Sequence, residues 1–167
     1  MNRTKKSRLP NVLERLRDTI QKSNIPDEKR DIPIGYELSH LHTCSQLAQL
    51  LALKRGITAE LAGISAAMHD LGRILYGKNE KHAENGHLPA KDILKEMGIF
   101  SWPEIETISG TIKHHSEKGT FGTNPYDEIV KDADVLDCYL ANLEVVKESH
   151  KKRLNKVFED LGIKRTL

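Results

Sequence analysis

The chain has 167 residues, of which 38% are hydrophobic and 30% charged, enough to bury a core and too few for a large multidomain enzyme. Its 26 Lys and Arg against 24 Asp and Glu leave a formal charge of +2, so no extreme field advertises nucleic acid or a membrane surface as partner. Eight histidines in a chain with 5% aromatics put a metal question before a substrate question, because His40, His42, His69, His82, His87, His114 and His115 all fall between positions 40 and 115.

Apolar residues recur at three and four spacings nearly throughout and no alternating β-branched run competes, so an all-α, single compact multi-helix bundle is expected. A first helix follows Pro10 with Leu13, Leu16 and Ile20 on one stripe and ends before Ser23. A second runs over about 36–54, and Gly56 sits where a left-handed residue closes a helix. Thr58 can N-cap a third, whose stripe is Leu61, Ile64, Met68 and Leu71 or Leu75. Residues 76–89, with two glycines and a proline among charges, read as a polar loop. A fourth helix covers about 89–97 and stops at Gly98. Ser101 and Glu104 form a capping box that opens a fifth. After a loop over 117–124, Asn124 and Pro125 start a sixth helix that runs to Leu140. A basic helix over about 143–161 closes the chain.

The two cysteines, Cys44 and Cys138, lie far apart and offer neither a disulfide framework nor a metal knuckle. The basic start leads straight into an amphipathic helix with no apolar signal core, and no run approaches a membrane span. A soluble, cytoplasmic protein is expected. Charge is uneven: positions 1–35 carry nine Lys/Arg against five Asp/Glu, 142–167 seven against four, and 36–141 ten against fifteen. Basic ends around an acidic, histidine-rich centre are the balance expected if carboxylates there hold cations.

His69 and Asp70 follow a small apolar run in SAAMHDLGR, where an ionised aspartate is costly unless it is paired or bound to metal. A mutually hydrogen-bonded His–Asp pair would explain the dipeptide alone. His40, however, shares the helix face of Cys44, Leu47 and Leu51, and Asp134 in KDADVLD lies at the edge of an apolar stripe. These side chains come from three helices and can meet in one pocket. Two imidazoles with two carboxylates suit a divalent transition metal, Fe, Mn, Zn, Co or Ni better than Mg.

The succession His40, then His69–Asp70 in AAMHDLG, then Asp134 in DADVLD resembles the HD-domain superfamily of metal-dependent phosphohydrolases. The resemblance covers about 36–141 and divides the chain into an N-terminal arm and helix packed on the core (1–35), the HD domain (36–141) and a C-terminal basic helix of the same globule (142–167). It implies His40, His69, Asp70 and Asp134 as ligands of a first metal. Many such proteins place two further histidines before the final aspartate, which lets a second ion bind. His87 resembles the first of these, and the His114–His115 pair the second. Within the pair His114 is favoured as ligand, although periodicity aligns His115 with Ile105, Ile108 and Ile112. Arg73 stands where the family commonly has lysine, and with Lys78 and Lys81 it can clamp phosphate oxygens. His82 is read as a loop residue facing substrate and, with Lys81 and His115, as a candidate general acid.

The chemistry implied is hydrolysis of a phosphomonoester or phosphodiester of a nucleotide or related small metabolite by a metal-bound hydroxide, with Asp70 bridging one or two ions. Two alternatives stand beside it: a di-iron oxygenase on the same ligands, and a metal-binding regulatory domain without turnover. Nucleic acid is disfavoured as partner, because the basic stretches around Arg3, Lys5, Lys6 and Arg8 and at Lys151, Lys152 and Arg153 have no interleaved aromatics. His42, two positions from His40, points off its face, and His150 reads as a surface residue.

Overall fold

Helical spacing of apolar residues becomes helix along the described chain, residues 7–165 of a computed structural model. In order these are α1 (Leu9–Gln21), a 3-10 turn (Asp27–Lys29), α2 (Ile34–Lys54), α3 (Ala59–Met68), α4 (Leu71–Tyr76), α5 (His82–Met97), α6 (Trp102–His114), α7 (Pro125–Leu140) and α8 (Glu148–Leu161). The fold is an all-α bundle. Among the described residues no helix is long and apolar enough to cross a membrane. Arg3, Lys5 and Lys6 of the basic arm lie outside the described residues.

The centre of the bundle is α3, in which every residue from Ala62 to Met68 is buried. A helix with no polar face is one surrounded on all sides, and the small side chains of AELAGISAAM let neighbours approach from both. Ala62 and Ala66 join a cluster with Leu51 of α2, Val130 of α7 and Phe158 of α8. Ile64, Ala67 and Met68 join a second cluster with Leu16 of α1, Leu94 of α5 and Ile108 of α6. Each large aliphatic side chain buried this way contributes roughly 1.5–3 kcal/mol. The C-terminal end of α3 therefore emerges where the two halves of the core meet, and the next residues are His69 and Asp70.

Local signals hold at most helix ends. Gly56 and Gly98 take positive φ values of 68° and 65°, Ser101 and Glu104 form the capping box, and the Asn124 side chain accepts from Tyr126 N–H at 3.0 Å. Thr58 occupies its N-cap position without a side-chain capping bond.

Three expectations are corrected. The helix expected to run on to Leu71 or Leu75 breaks at His69–Asp70, where Asp70 has φ −96° and ψ 17°, in the sparsely populated bridge region where active-site residues are often found. The polar loop expected over 76–89 ends early, because α5 starts at His82 and carries Pro89 within it. Two glycines and a proline read locally as breakers, yet Ala83, Gly86 and Ala90 form a buried stripe, and tertiary packing overrides propensity. Finally α8 begins at Glu148, leaving 143–147 irregular.

The α4–α5 crossing is unusually close. A Cβ on Gly72 would lie 2.0 Å from the carbonyl oxygen of His82 and 2.8 Å from the Gly86 nitrogen. Only hydrogen at both positions lets the backbones meet, and this contact fixes the start of α5, where His82 sits.

Candidate metal centre

Six helices, α2 to α7, converge on one cluster. His40 comes from the middle of α2, His69 and Asp70 from the α3–α4 break, His82 from the first position of α5, His115 from the end of α6, and Asp134 from α7. His40, His69, Asp70 and His115 are at most 4% exposed.

Asp70 is the centre of this geometry. Its Oδ2 lies 3.0 Å from His69 Nε2 and 3.4 Å from His40 Nε2. Its Oδ1 lies 3.1 Å from His82 Nε2 and 3.4 Å from His115 Nε2. Asp134 completes the first side, with Oδ1 3.4 Å from His40 Nε2 and Oδ2 3.8 Å from His69 Nε2. One carboxylate thus offers one oxygen to each of two imidazole pairs.

The ring orientations are set from behind. A backbone carbonyl can only accept, so His69 Nδ1 donates to Ala66 O at 2.6 Å, His82 Nδ1 to Asn79 O at 2.7 Å and His115 Nδ1 to Ile112 O at 2.7 Å. His40 Nδ1 donates to the Asp137 carboxylate at 2.5 Å. With every Nδ1 proton committed outward, all four Nε2 atoms are turned inward, the tautomer a metal-binding histidine requires. Nε2 of His82 and Nε2 of His115 stand 2.9 Å apart, and those of His40 and His69 3.2 Å apart. Two lone pairs facing each other at such distances need a proton or a cation between them, so this donor set fits one or two divalent ions.

Electrostatics agree. Burial raises the Asp70 pKa, but His69, His115 and His40 outweigh it and hold the carboxyl well below its usual range. Burial opposes charge on His40, yet Asp134, Asp137 and Asp70 around it raise its pKa. His115 goes the other way: burial lowers it to about 4, against the pull of Asp70, which keeps it neutral. Cys44 Sγ is 3.6 Å from His40 Nδ1, and its ligand atom joins those of His40, His69 and Asp134 within 4.8 Å. Burial pushes its thiol up to about 12.

The cluster opens into a cavity of about 550 Å³. Arg73 lines it with its guanidinium divided between Asp70 and the buried carboxylate of Glu37. Lys118 reaches in from the α6–α7 loop, bonding Asp134 and the carbonyl of His115. Its place is fixed by the fully buried Arg153, which donates to Lys118 O at 2.7 Å and pairs with Glu128 and Asp132 at 2.9 Å each.

Other expected residues stand elsewhere. His87 turns to Ser109 O at 2.8 Å, and the side chain of His114 is 43% exposed against Asp127; neither lines the cavity. His82 and His115, rather than His87 and His114, have their Nε2 atoms beside Asp70 Oδ1. Helix phase is the reason: the His115 ring follows the buried Ile108 and Ile112, while its neighbour is turned outward, and taking 76–89 as loop hid that His82 opens a helix. Lys78 pairs with Asp31 at the surface, and Lys81 is exposed before α5. His150, expected at the surface, lines the cavity, and Arg153 is buried rather than free to touch phosphates. Sequence reasoning missed Asp137 and Glu37. Each lies three residues from a candidate, Asp134 and His40, on the same helix face; that spacing was the available signal. Lys118 had none, because distant loop contacts place it.

The HD domain model matches residues 38–139. Ribonuclease Y from Mycoplasmoides gallisepticum is 27% identical over 127 residues, covering 70% of this chain and 21% of its own length, so the chain spans about a fifth of that curated relative. A crystal structure described as a predicted HD superfamily hydrolase from an uncultured Thermotogales bacterium has a TM-score of 0.62 at 23% identity, covering 93% of this chain and 90% of that one, a likeness of fold. The matched segment takes in more than half of the sequence and every member of the His–Asp cluster, and the chain belongs to the HD-domain family.

Proposed function

We propose that the chain is a metal-dependent phosphohydrolase acting on a phosphomonoester or phosphodiester of a nucleotide or related small metabolite. The observation that carries this reading is the Asp70 carboxylate, whose two oxygens face two separate imidazole pairs. In the reading, His40, His69, Asp70 and Asp134 hold one ion, and Asp70, His82 and His115 a second. The ligand types favour Fe, Mn, Co, Ni or Zn over Mg. Ions so held supply Lewis acidity, activating a water at neutral pH and polarising phosphoryl oxygens.

The protein's own groups do the rest. Asp137 and the three carbonyls behind the other rings keep the ligands aimed. Arg73 and Lys118 bring positive charge beside the cluster, where it stabilises charge developing on a transferred phosphoryl group. Ile32, Pro33 and Leu143 give the cavity apolar wall, room for an organic leaving group rather than phosphate alone. The name of the relative, ribonuclease Y, lends support to phosphodiesters as one substrate class.

The test is a metal-stripped protein reloaded with each candidate ion and assayed on a panel of nucleotide mono- and diesters, beside Asp70→Ala. Loss of bound metal and turnover together in a variant with wild-type helicity supports the proposal. Hydrolysis by metal-free Asp70→Ala overturns it. A coloured iron form that consumes oxygen and leaves every ester intact replaces it with the oxygenase alternative.

A further inference from the structure

The cavity wall away from the metal cluster carries an unneutralised positive group. Lys147 and His150 line it, together with Lys118 on the side of the cluster. Lys118 is committed to Asp134. Among the described residues, Lys147 and His150 form no ion pair with a carboxylate, and the backbone N–H of His150 donates to Lys147 O at 3.0 Å. Burial and the neighbouring cations lower the His150 pKa, Asp134 acting against them, which favours the neutral ring. A neutral imidazole N–H beside an ammonium that has no carboxylate partner, both lining one cavity, suits an anion. Both residues lie beyond the segment that matches the family model, 38–139.

We propose that Lys147 and His150 form a second anionic subsite, and that the substrate is a phosphate ester carrying another phosphate or comparable anionic group apart from the one at the metal cluster. This deepens the hydrolase reading and rests on it for the reacting phosphate. The binding subsite itself stands on the cavity and its charges. A cavity of about 550 Å³ has room for a nucleoside bearing two phosphate groups, whereas a simple monoester would leave Lys147 without a counter-ion. An ester with its second phosphate against Lys147 would gain a charge-assisted hydrogen bond that the matching monophosphate lacks.

The experiment compares adenosine 5′-monophosphate with adenosine 5′-diphosphate and adenosine 3′,5′-bisphosphate on the manganese-loaded protein, for wild type, Lys147→Glu and His150→Gln. The expected result is a preference in kcat/KM of roughly tenfold or more for at least one doubly phosphorylated probe, carried by KM. Lys147→Glu should abolish or invert that preference, and His150→Gln should reduce it. If none of the three esters is turned over, the hydrolase reading is decided by the full ester panel and Asp70→Ala. The subsite is then decided by calorimetric Kd values for the same three nucleotides, with the same preference and the same loss expected. Equal affinity for the three nucleotides, or a preference that survives Lys147→Glu, overturns the subsite. Lys147 is exposed and outside both core clusters, so its variant is expected to fold, and thermal denaturation confirms it.

Discussion

Gly72→Ala places one methyl group where the α4–α5 crossing has no room. The added Cβ would sit 2.0 Å from the His82 carbonyl oxygen and 2.8 Å from the Gly86 nitrogen, both backbone atoms that cannot rotate away. Reaching 3.4 Å, where ordinary contact begins, requires the start of α5 to withdraw by about 1.4 Å in a close-packed interior. Overpacking of this kind costs about 1–3 kcal/mol, and at this chain length each kcal/mol lowers Tm by roughly 2–4 °C. The displacement matters more than the energy. It moves His82 well beyond the ~0.2 Å tolerance of metal–ligand distances, so the Oδ1 side of Asp70 should lose its ion while the His40, His69 and Asp134 side is retained. Gly110→Ala in α6, with nothing within 4 Å of its Cβ, is the control, and should be neutral or stabilising by up to about 1 kcal/mol. Thermal denaturation with metal titration of both variants decides the matter. A Gly72→Ala protein with wild-type Tm and wild-type ion stoichiometry would refute the reasoning.

Asp137→Asn keeps the size of the side chain that holds His40 Nδ1 but removes its charge. Metal affinity, measured by competition with a chelator, should fall roughly 10–100-fold; an unchanged affinity would show that Asp137 does not orient His40. Arg153→Met takes a buried cation from Glu128 and Asp132, which keep Lys131 and Arg55 respectively, and releases the carbonyls of Lys118 and Thr120. A loss of about 1–3 kcal/mol in denaturant unfolding is expected, with weaker substrate binding as Lys118 loses its anchor. At the opposite end, Arg8 pairs with Glu60 and Glu104 at 2.7 Å each, and Arg8 is the first cause of the fall in the Glu104 pKa to about 2. A depressed carboxylate stabilises the fold above its unfolded value, near 4.5, and that stabilisation is lost as pH falls from there towards 2. The Tm gap between wild type and Glu104→Gln should therefore be constant near neutral pH and narrow below about pH 4.5. A gap that widens on acidification would contradict the sign.

Much of this architecture was legible in the sequence because it is written in local chemistry. The capping box at Ser101 and Glu104, the left-handed glycines at 56 and 98, and the small-residue pattern around Ala62–Met68 each act over a few residues. His40, His69, Asp70 and Asp134 were legible because polar groups at apolar helix positions need a shared explanation. The remaining cluster members were harder because helix phase and tertiary contact place them. His82 becomes the first residue of a helix only because Gly72 and Gly86 let α5 pack on α4, and His115 is chosen over His114 by which side of α6 faces the core. Lys118, Lys147 and His150 reach the cavity from outside regular helix or near a helix start, positions that periodicity does not address. Arg153 looked like part of a solvated basic run, and it is buried because Glu128 and Asp132, some twenty residues earlier, turn the same way on α7.

The most direct test of the account is anomalous diffraction from crystals of the manganese-loaded protein, recorded to locate the ions. Two peaks are expected flanking the Asp70 carboxylate, one among His40, His69 and Asp134 and one between His82 and His115. A peak at His87 or His114, or an Asp70 carboxylate with no ion on its Oδ1 side, would contradict it.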